Sequence, residues 1–250
     1  MASLQKWQLI ATVSVLVLVL FIPCTAAQEW TPTLYVLFID MSVSGRGQEA
    51  HWQSAAEQMV FSRFRAGDAL VVYGLHDHTG ESAALFQGET PVVDLKAGRD
   101  ATVEARRRYA ATLSSGREVV RQALAANSVR AKETRVVESL RRVPKANGRR
   151  VKLIYFSDML ESTKTLDLER LRLTGQNTGA LVEAAVMTFH VEKGSLVGVS
   201  VYCVLDSPNI GQASGSPSPR SALERFWKAV LDAAGARLEW FDSTVFANGR

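Results

Sequence analysis

The chain has 250 residues, of which 47% are hydrophobic and 22% are charged, a composition that excludes collagen-like, disulfide-scaffold and wholly disordered proteins. Its 29 Lys and Arg residues exceed the 25 Asp and Glu residues by four, which is too small an excess to indicate nucleic acid as a partner. The length fits one large α/β domain better than two domains.

The N-terminus carries an apolar run, Leu9–Ile22, which follows Lys6 and precedes a stretch of small residues. This layout is typical of a secretory signal, and the run is shorter than the roughly 20 residues that a membrane-spanning helix prefers. We predict that residues 1–27 are a cleaved signal peptide, and an uncleaved inner-membrane anchor formed by residues 8–23 is the alternative. In both cases the remaining residues, 28–250, are exported and are periplasmic or secreted.

Short apolar runs alternate with amphipathic segments over the rest of the chain. Four runs are apolar almost throughout, as in strands that are covered on both faces of a parallel sheet. These predicted buried strands are residues 34–39, 69–75, 151–156 and 196–205. A weaker edge strand is predicted from residues 85–86 and 91–93, and a last strand at 237–241. The pattern predicts an α/β fold, a Rossmann-like three-layer α/β/α arrangement with a central, mostly parallel sheet, in one domain.

The segments between the strands have the apolar spacing of helices. Helices are predicted at residues 48–64, around 166–173 and at 221–234, the last ending at Gly235. The Arg-rich section 99–143 predicts two or three helices, with breaks near residues 114–116 and 127–128. The stretch 208–219 is rich in Gly and Ser and predicts a long exposed loop.

Three oxygen-bearing side chains follow the first predicted strand: Asp40, Ser42 and Ser44. Because they are spaced by two residues, an extended segment presents all three to one side. Ligands collect at the carboxyl ends of strands in open α/β sheets, and a carboxylate with hydroxyls is a donor set that suits Mg²⁺. The spacing therefore predicts a site for a hard cation at this edge of the sheet.

Two later residues are expected to join that edge. Asp158 comes two residues after the end of the strand at 151–156, and it reaches the same edge if this strand lies beside the first one. Thr134 precedes an amphipathic turn, the position of a loop ligand at the start of a helix. Thr112 is the alternative loop residue.

The motif Asp40-x-Ser42-x-Ser44, followed by Thr134 and Asp158, resembles the metal-ion-dependent adhesion site of von Willebrand factor A domains. The resemblance implies that both serines and the threonine contact Mg²⁺ or Mn²⁺ directly, while the two aspartates act mainly through bound water. It also implies a protein partner that presents a carboxylate to the metal. The family order favours Thr134 as the loop ligand, because one helix separates it from the next strand.

This resemblance covers about residues 33 to 243, and it implies a binding module of the bacterial cell envelope that is not an enzyme. One departure is Met159, at a position where many members have Gly. A structural envelope scaffold with a vestigial metal site is an alternative, in which Asp40 and Ser42 merely cap a helix. A metal-dependent phosphohydrolase is disfavoured, because Ser42 stands where that chemistry needs a second carboxylate.

Two further motifs give weaker indications. Gly45-x-Gly47 begins a G-x-G-x-x-A pattern, but it comes too late after the first strand for the tight turn of a dinucleotide site. His76 and His78 have the spacing of zinc ligands, but the sequence shows no third ligand. We therefore expect neither a dinucleotide nor zinc.

Overall fold

The computed structural model describes residues 30–42, 47–77, 79–92, 98–125, 133–168, 170–206 and 219–244. Contacts divide the chain after Thr31, and every helix and strand described below belongs to the unit Pro32–Arg250. None of the helices in the described residues is both long enough and apolar enough to cross a membrane. The predicted signal or anchor, residues 1–27, lies outside the described residues.

Six strands form one sheet in the order β3-β2-β1-β4-β5-β6. The strands are β1 (Thr33–Asp40), β2 (Ala69–Leu75), β3 (Phe86–Glu89), β4 (Arg150–Phe156), β5 (Val199–Val204) and β6 (Arg237–Asp242). Only β3, at one edge, is antiparallel to its neighbour; the other pairings are parallel. Strands β1 and β4 are neighbours, as the predicted site requires, and Ile39 lies opposite Phe156.

Helices cover both faces of this sheet. They are α1 (Glu49–Ala56), α2 (Arg99–Ala125), α3 (Val136–Ser139), α4 (Thr178–Thr188) and α5 (Arg220–Ala234). Helix α1 continues as a π-helical turn, Glu57–Phe61, and α3 continues as a 3₁₀ turn, Leu140–Arg142. Helices α1 and α2 pack on one face, whereas α3, α4 and α5 pack on the other.

The strand β1 shows why its sequence is apolar throughout. All eight of its residues are buried, and successive side chains enter opposite layers: Leu37 packs toward α1 and α2, and Phe38 packs into the other layer. The ring of Phe38 stacks between Tyr73 of β2 and Tyr155 of β4, at centroid distances of 5.1 and 5.2 Å. The three-layer α/β fold predicted from the sequence is therefore confirmed.

Two helix predictions are wrong. No break occurs near residues 114–116, because Gly116 continues α2 and lets the helix approach the sheet; a Cβ there would lie 2.7 Å from a methyl carbon of Leu70. The described residues between 166 and 173 form an isolated bridge at Asp167 and turns, not a helix. Three of the leucines there are in the core, and the N–H of the fully buried Leu168 donates to the carbonyl of Glu161. The apolar spacing therefore reflects core packing of a non-helical segment, with Leu171 exposed.

Several boundaries also differ from prediction. The edge strand spans Phe86–Glu89, and Pro91 and Val92 lie beyond its end. Strand β5 begins at Val199, because residues 193–198 form turns before it. The predicted break near 127–128 and the predicted loop at 208–219 lie outside the described residues, apart from Pro219.

Candidate metal site at the carboxyl edge of the sheet

Asp40 ends β1 and is fully buried. Its Oδ1 atom accepts a hydrogen bond from the Ser42 N–H at 2.8 Å, and its Oδ2 atom accepts one from the Ser157 hydroxyl at 2.7 Å. Burial raises the pKa of Asp40, while the hydrogen bonds from both serines oppose that rise. Asp40 is thus held rigidly at the edge, facing the end of β4.

The end of β4 supplies two more oxygen groups. Ser157, which the sequence reasoning passed over, bridges the two strand ends: its hydroxyl donates to Asp40 and accepts from the Met159 N–H at 3.0 Å. Asp158 is 8% exposed, and its Oδ1 atom accepts from the Leu160 N–H at 3.0 Å. The expectation that Asp40 and Asp158 share one edge therefore agrees with the geometry.

The Thr134 loop lies against the segment that follows Asp158. The Thr134 carbonyl accepts from the Ser162 N–H at 3.0 Å, and the Glu161 carboxyl accepts from the Val137 N–H at 2.8 Å. Thr134 itself is 4% exposed. These bonds fix the loop next to the β4 end, as the predicted ligand role requires.

Two other hydroxyl residues were predicted for the site, Thr112 as the alternative loop ligand and Ser44. Thr112 lies in α2, where its methyl group packs beside edge strand β3; a Cβ at Gly88 would lie 2.9 Å from that methyl carbon. Because β3 is two strands away from β1, this placement favours Thr134 as the loop residue. Ser44 lies outside the described residues, so its part in the site stays a prediction.

Sequence reasoning missed a third acidic residue at the edge, Asp206. It lies two residues beyond the end of β5, which is the neighbour of β4, and it is half-buried. Burial raises its pKa to about 6, and the negative charge of Asp40 contributes to the rise. The sequence could have indicated Asp206, because this aspartate stands at the end of an apolar run, as Asp40 and Asp158 do.

His51, for which the sequence alone indicates no partner, also lies near this edge. It lies on α1, and its Nε2 atom is 3.2 Å from the carbonyl of Leu205. This contact joins the helix that follows β1 to the end of β5. His76 pairs with Asp77 beside β2 at 3.6 Å, whereas His78 lies outside the described residues, so the weak zinc motif gains no support.

Met159, the departure from the family pattern, has a left-handed backbone with φ of +61°. Glycine adopts this conformation without strain, which explains why a Gly suits the position. Here the methionine side chain is 1% exposed in the core, and the Trp227 indole N–H donates to the Met159 carbonyl at 2.8 Å. The buried side chain offsets the backbone strain.

We predict that Met159→Ala is more destabilising than Met159→Gly. The alanine variant loses about 2–4 kcal/mol because the strain remains and the buried side chain is gone. The glycine variant is about 1 kcal/mol less destabilised because it relieves the positive φ. Urea denaturation of wild type and the two variants measures their free energies of unfolding. A glycine variant less stable than the alanine variant would show that the positive φ of Met159 is not strained.

The chemistry of these donors fits a hard divalent cation. Carboxylate and hydroxyl oxygens meet at one edge, where the Ser42 and Ser157 side chains contact Asp40. Within the described ranges, no three His, Cys, Asp or Glu side chains form a metal-binding group on their own. A cation held here would therefore need hydroxyl or water oxygens in addition to carboxylates.

A cleft of about 350 Å³ opens beside the Thr134 loop. Its lining includes the exposed cations Arg141 and Lys164, and Arg135, which is paired with Glu133 at 3.1 Å and with Glu138 at 3.4 Å. Glu133 and Glu138 also line the cleft, so three Arg or Lys and two Glu side chains lie beside this predicted ligand loop.

No protein-family model matches the sequence, and no curated protein is significantly similar to it. The solved structures that match at low identity include the following three. The pilus adhesin SpaC of Lactobacillus rhamnosus GG, in an open conformation, has a TM-score of 0.46 and 13% identity, over 87% of this chain and 28% of the adhesin. This chain therefore spans less than a third of that protein.

The second is an aerotolerance-related membrane protein of Bacteroides fragilis with multiple mutations to serine, with a TM-score of 0.38 and 10% identity over 82% of this chain and 90% of that one. The human COPII-coat protein Sec24c has a TM-score of 0.37 and 14% identity, over 87% of this chain and 30% of Sec24c. Since all three scores are below 0.5, the fold assignment rests on the strand order and helix layers described above.

Proposed function

We propose that this chain is an exported protein-binding module of the von Willebrand factor A type, which holds Mg²⁺ or Mn²⁺ at the carboxyl edge of its sheet. One observation carries the proposal: the Ser157 hydroxyl joins the end of β4 to Asp40 at the end of β1, at 2.7 Å. Asp158 follows on the same strand end, and the Thr134 loop is tied beside it. These contacts support the predicted ligand set.

The proposed ligands divide into two kinds. Ser42, Ser44 and Thr134 would contact the cation through hydroxyl oxygens, and Asp40 and Asp158 would act mainly through bound water. A cation with few direct negative ligands supplies an electrophilic position that accepts a carboxylate from a partner protein. The residues of this chain hold and orient the site. They do so rigidly, because Asp40 and Ser157 are fully buried.

The partner class follows from this chemistry. A carboxylate on the partner would face the metal edge, and the cations Arg141 and Lys164 in the adjacent cleft would favour further acidic groups. Binding and not catalysis is proposed because Ser42 replaces the second carboxylate that proton transfer to a leaving group would need. The envelope location is proposed from the apolar run Leu9–Ile22.

Isothermal titration of the purified full chain with Mn²⁺ tests the metal site. We expect Asp40→Asn and Asp158→Asn each to weaken Mn²⁺ binding by about tenfold or more, because both remove negative charge at the site. Asp232→Asn is the control, since Asp232 lies on α5 and pairs with Lys228 on the surface. Equal affinity in all four proteins would contradict the site.

A scaffold without metal remains the second candidate, and one observation favours it. Both oxygens of Asp40 already accept hydrogen bonds from the protein, as a purely structural aspartate would. The apolar face of α5 is not free for contacts of such a scaffold, because Phe226, Trp227 and Val230 are at most 1% exposed and lie in the core. Absence of Mn²⁺ binding to the wild type would favour this candidate.

A further inference from the structure

The end of β5, the strand next to β4, carries an acidic group that the proposed ligand set does not include. Asp206 follows β5, and the parallel register places Val204 opposite Phe156, just before Ser157 and Asp158. The Ser157 N–H donates to the Val204 carbonyl at 3.4 Å, so the two strand ends are still in contact where the site begins. Asp206 is thus two residues past this last pairing.

Asp206 has a carboxylate oxygen that the surrounding protein leaves unsatisfied. Its Oδ1 atom is buried and makes no hydrogen bond with the described part of the chain. The oxygens of Asp40 differ, because each of them accepts a hydrogen bond from a serine. A buried carboxylate oxygen without a donor loses favourable interactions with water that nothing in the protein replaces.

Asp206 also faces a like charge. The charge of Asp40 acts on Asp206 strongly enough to contribute to its raised pKa, and Arg220, the cation that opposes this effect, lies on α5 and pairs with Asp242. Two carboxylates that repel each other in a partly buried place are stabilised together by a cation between them. A cation next to Asp206 would interact favourably with the unsatisfied oxygen and would reduce the repulsion between the two carboxylates.

We infer that Asp206 is a further carboxylate of the metal site, acting on the bound cation from the β5 side through a bound water. The inference rests on the proposed function. A third carboxylate makes the site more acidic than the family motif alone implies. We therefore expect this chain to bind Mg²⁺ or Mn²⁺ in the absence of a partner carboxylate.

Asp206→Asn tests this inference, and Asp242→Asn is the matched control. Asp242 ends β6, the next strand along the same edge, so it has a similar position but lies one strand further from Asp40. The full chain is titrated with Mn²⁺ alone, and melting temperatures are measured with and without Mn²⁺. The melting temperature without metal reports whether each variant is folded.

We expect Asp206→Asn to weaken Mn²⁺ binding by about tenfold or more and to reduce the rise in melting temperature that Mn²⁺ produces, with Asp242→Asn unchanged in both. Without metal, Asp206→Asn should melt no lower than wild type, because it removes a repulsion. If wild type and Asp206→Asn bind Mn²⁺ equally, the role of Asp206 is overturned while the proposed function stands. If wild type binds no Mn²⁺, both are overturned.

Discussion

Replacing Phe38 by Ala is expected to lower the free energy of unfolding by about 3–5 kcal/mol. Phe38 is fully buried at the centre of β1, and its ring lies between those of Tyr73 and Tyr155 on the two neighbouring strands. The truncation opens a cavity between three strands and removes two aromatic contacts, each worth roughly 0.5–1.5 kcal/mol beyond burial. Urea denaturation of wild type and variant measures the loss.

Leu85→Ala is the control for Phe38→Ala. Leu85 lies just before the edge strand β3 and is 43% exposed, so its truncation should change the free energy of unfolding by well under about 1 kcal/mol. A Phe38→Ala variant no less stable than Leu85→Ala would contradict the position of β1 at the centre of the sheet.

The second large effect concerns Glu161, whose replacement by Gln should remove a loss of stability at alkaline pH. Glu161 is fully buried, and its Oε1 atom makes no hydrogen bond with the described residues. Burial raises its pKa from 4.5 to about 8, while hydrogen bonds from the N–H groups of Val137 and Val136 oppose the rise. Glu161 is therefore protonated in the folded protein near neutral pH.

The direction of the pH dependence follows from this raised pKa. Between pH 4.5 and about 8 the folded protein keeps a proton that the unfolded chain releases. The contribution to stability is therefore complete below pH 4.5 and is lost as the pH rises through about 8. Since one pKa unit corresponds to about 1.4 kcal/mol, the rise from 4.5 to about 8 corresponds to a loss of up to about 5 kcal/mol over this range.

Glu161→Gln carries a neutral amide in place of the protonated carboxyl, so it should be more stable than wild type at pH 8.5 and similar at pH 5. Denaturant unfolding across this pH range measures the difference. Glu118→Gln is the control, because Glu118 is on the surface of α2 and pairs with Arg121 there. Parallel stability curves for wild type and Glu161→Gln would show that Glu161 is ionised in the folded protein.

The strands could be predicted because the pattern of apolar residues in each depends on whether the strand lies at the centre or at the edge of the sheet. The run from Leu34 to Ile39 is apolar at every position, since both of its faces are covered, and β2 shares this property. Strand β4 departs from it only in its first half, at Arg150 and Lys152, and is buried from Leu153 to Phe156. The edge strand β3 alternates in burial and was predicted only weakly. Asp40 and Asp158 could be found for the same reason: each stands where an apolar run stops.

The rest depends on contacts between segments that are far apart in sequence. Glu161 looks like a surface residue in the sequence, and only the packing of its segment against the Thr134 loop buries it. In the sequence, Gly116 suggests a helix break. In the structure, it lets α2 pack close to Leu70 of β2, where a larger side chain would clash. Asp206 also stands where an apolar run stops. Its position near Asp40 could not be predicted, because it depends on β5 lying next to β4 in the sheet.

The most direct test of the proposed site is the position of the metal. Crystals of the full chain grown with Mn²⁺ give an anomalous difference map that locates the ion independently of any functional assay. The account predicts one strong peak at the carboxyl edge, between the ends of β1 and β4 and in reach of Ser42, Thr134 and Asp158. An edge without a peak in Mn²⁺-containing crystals, or a strong peak elsewhere on the protein, would contradict it.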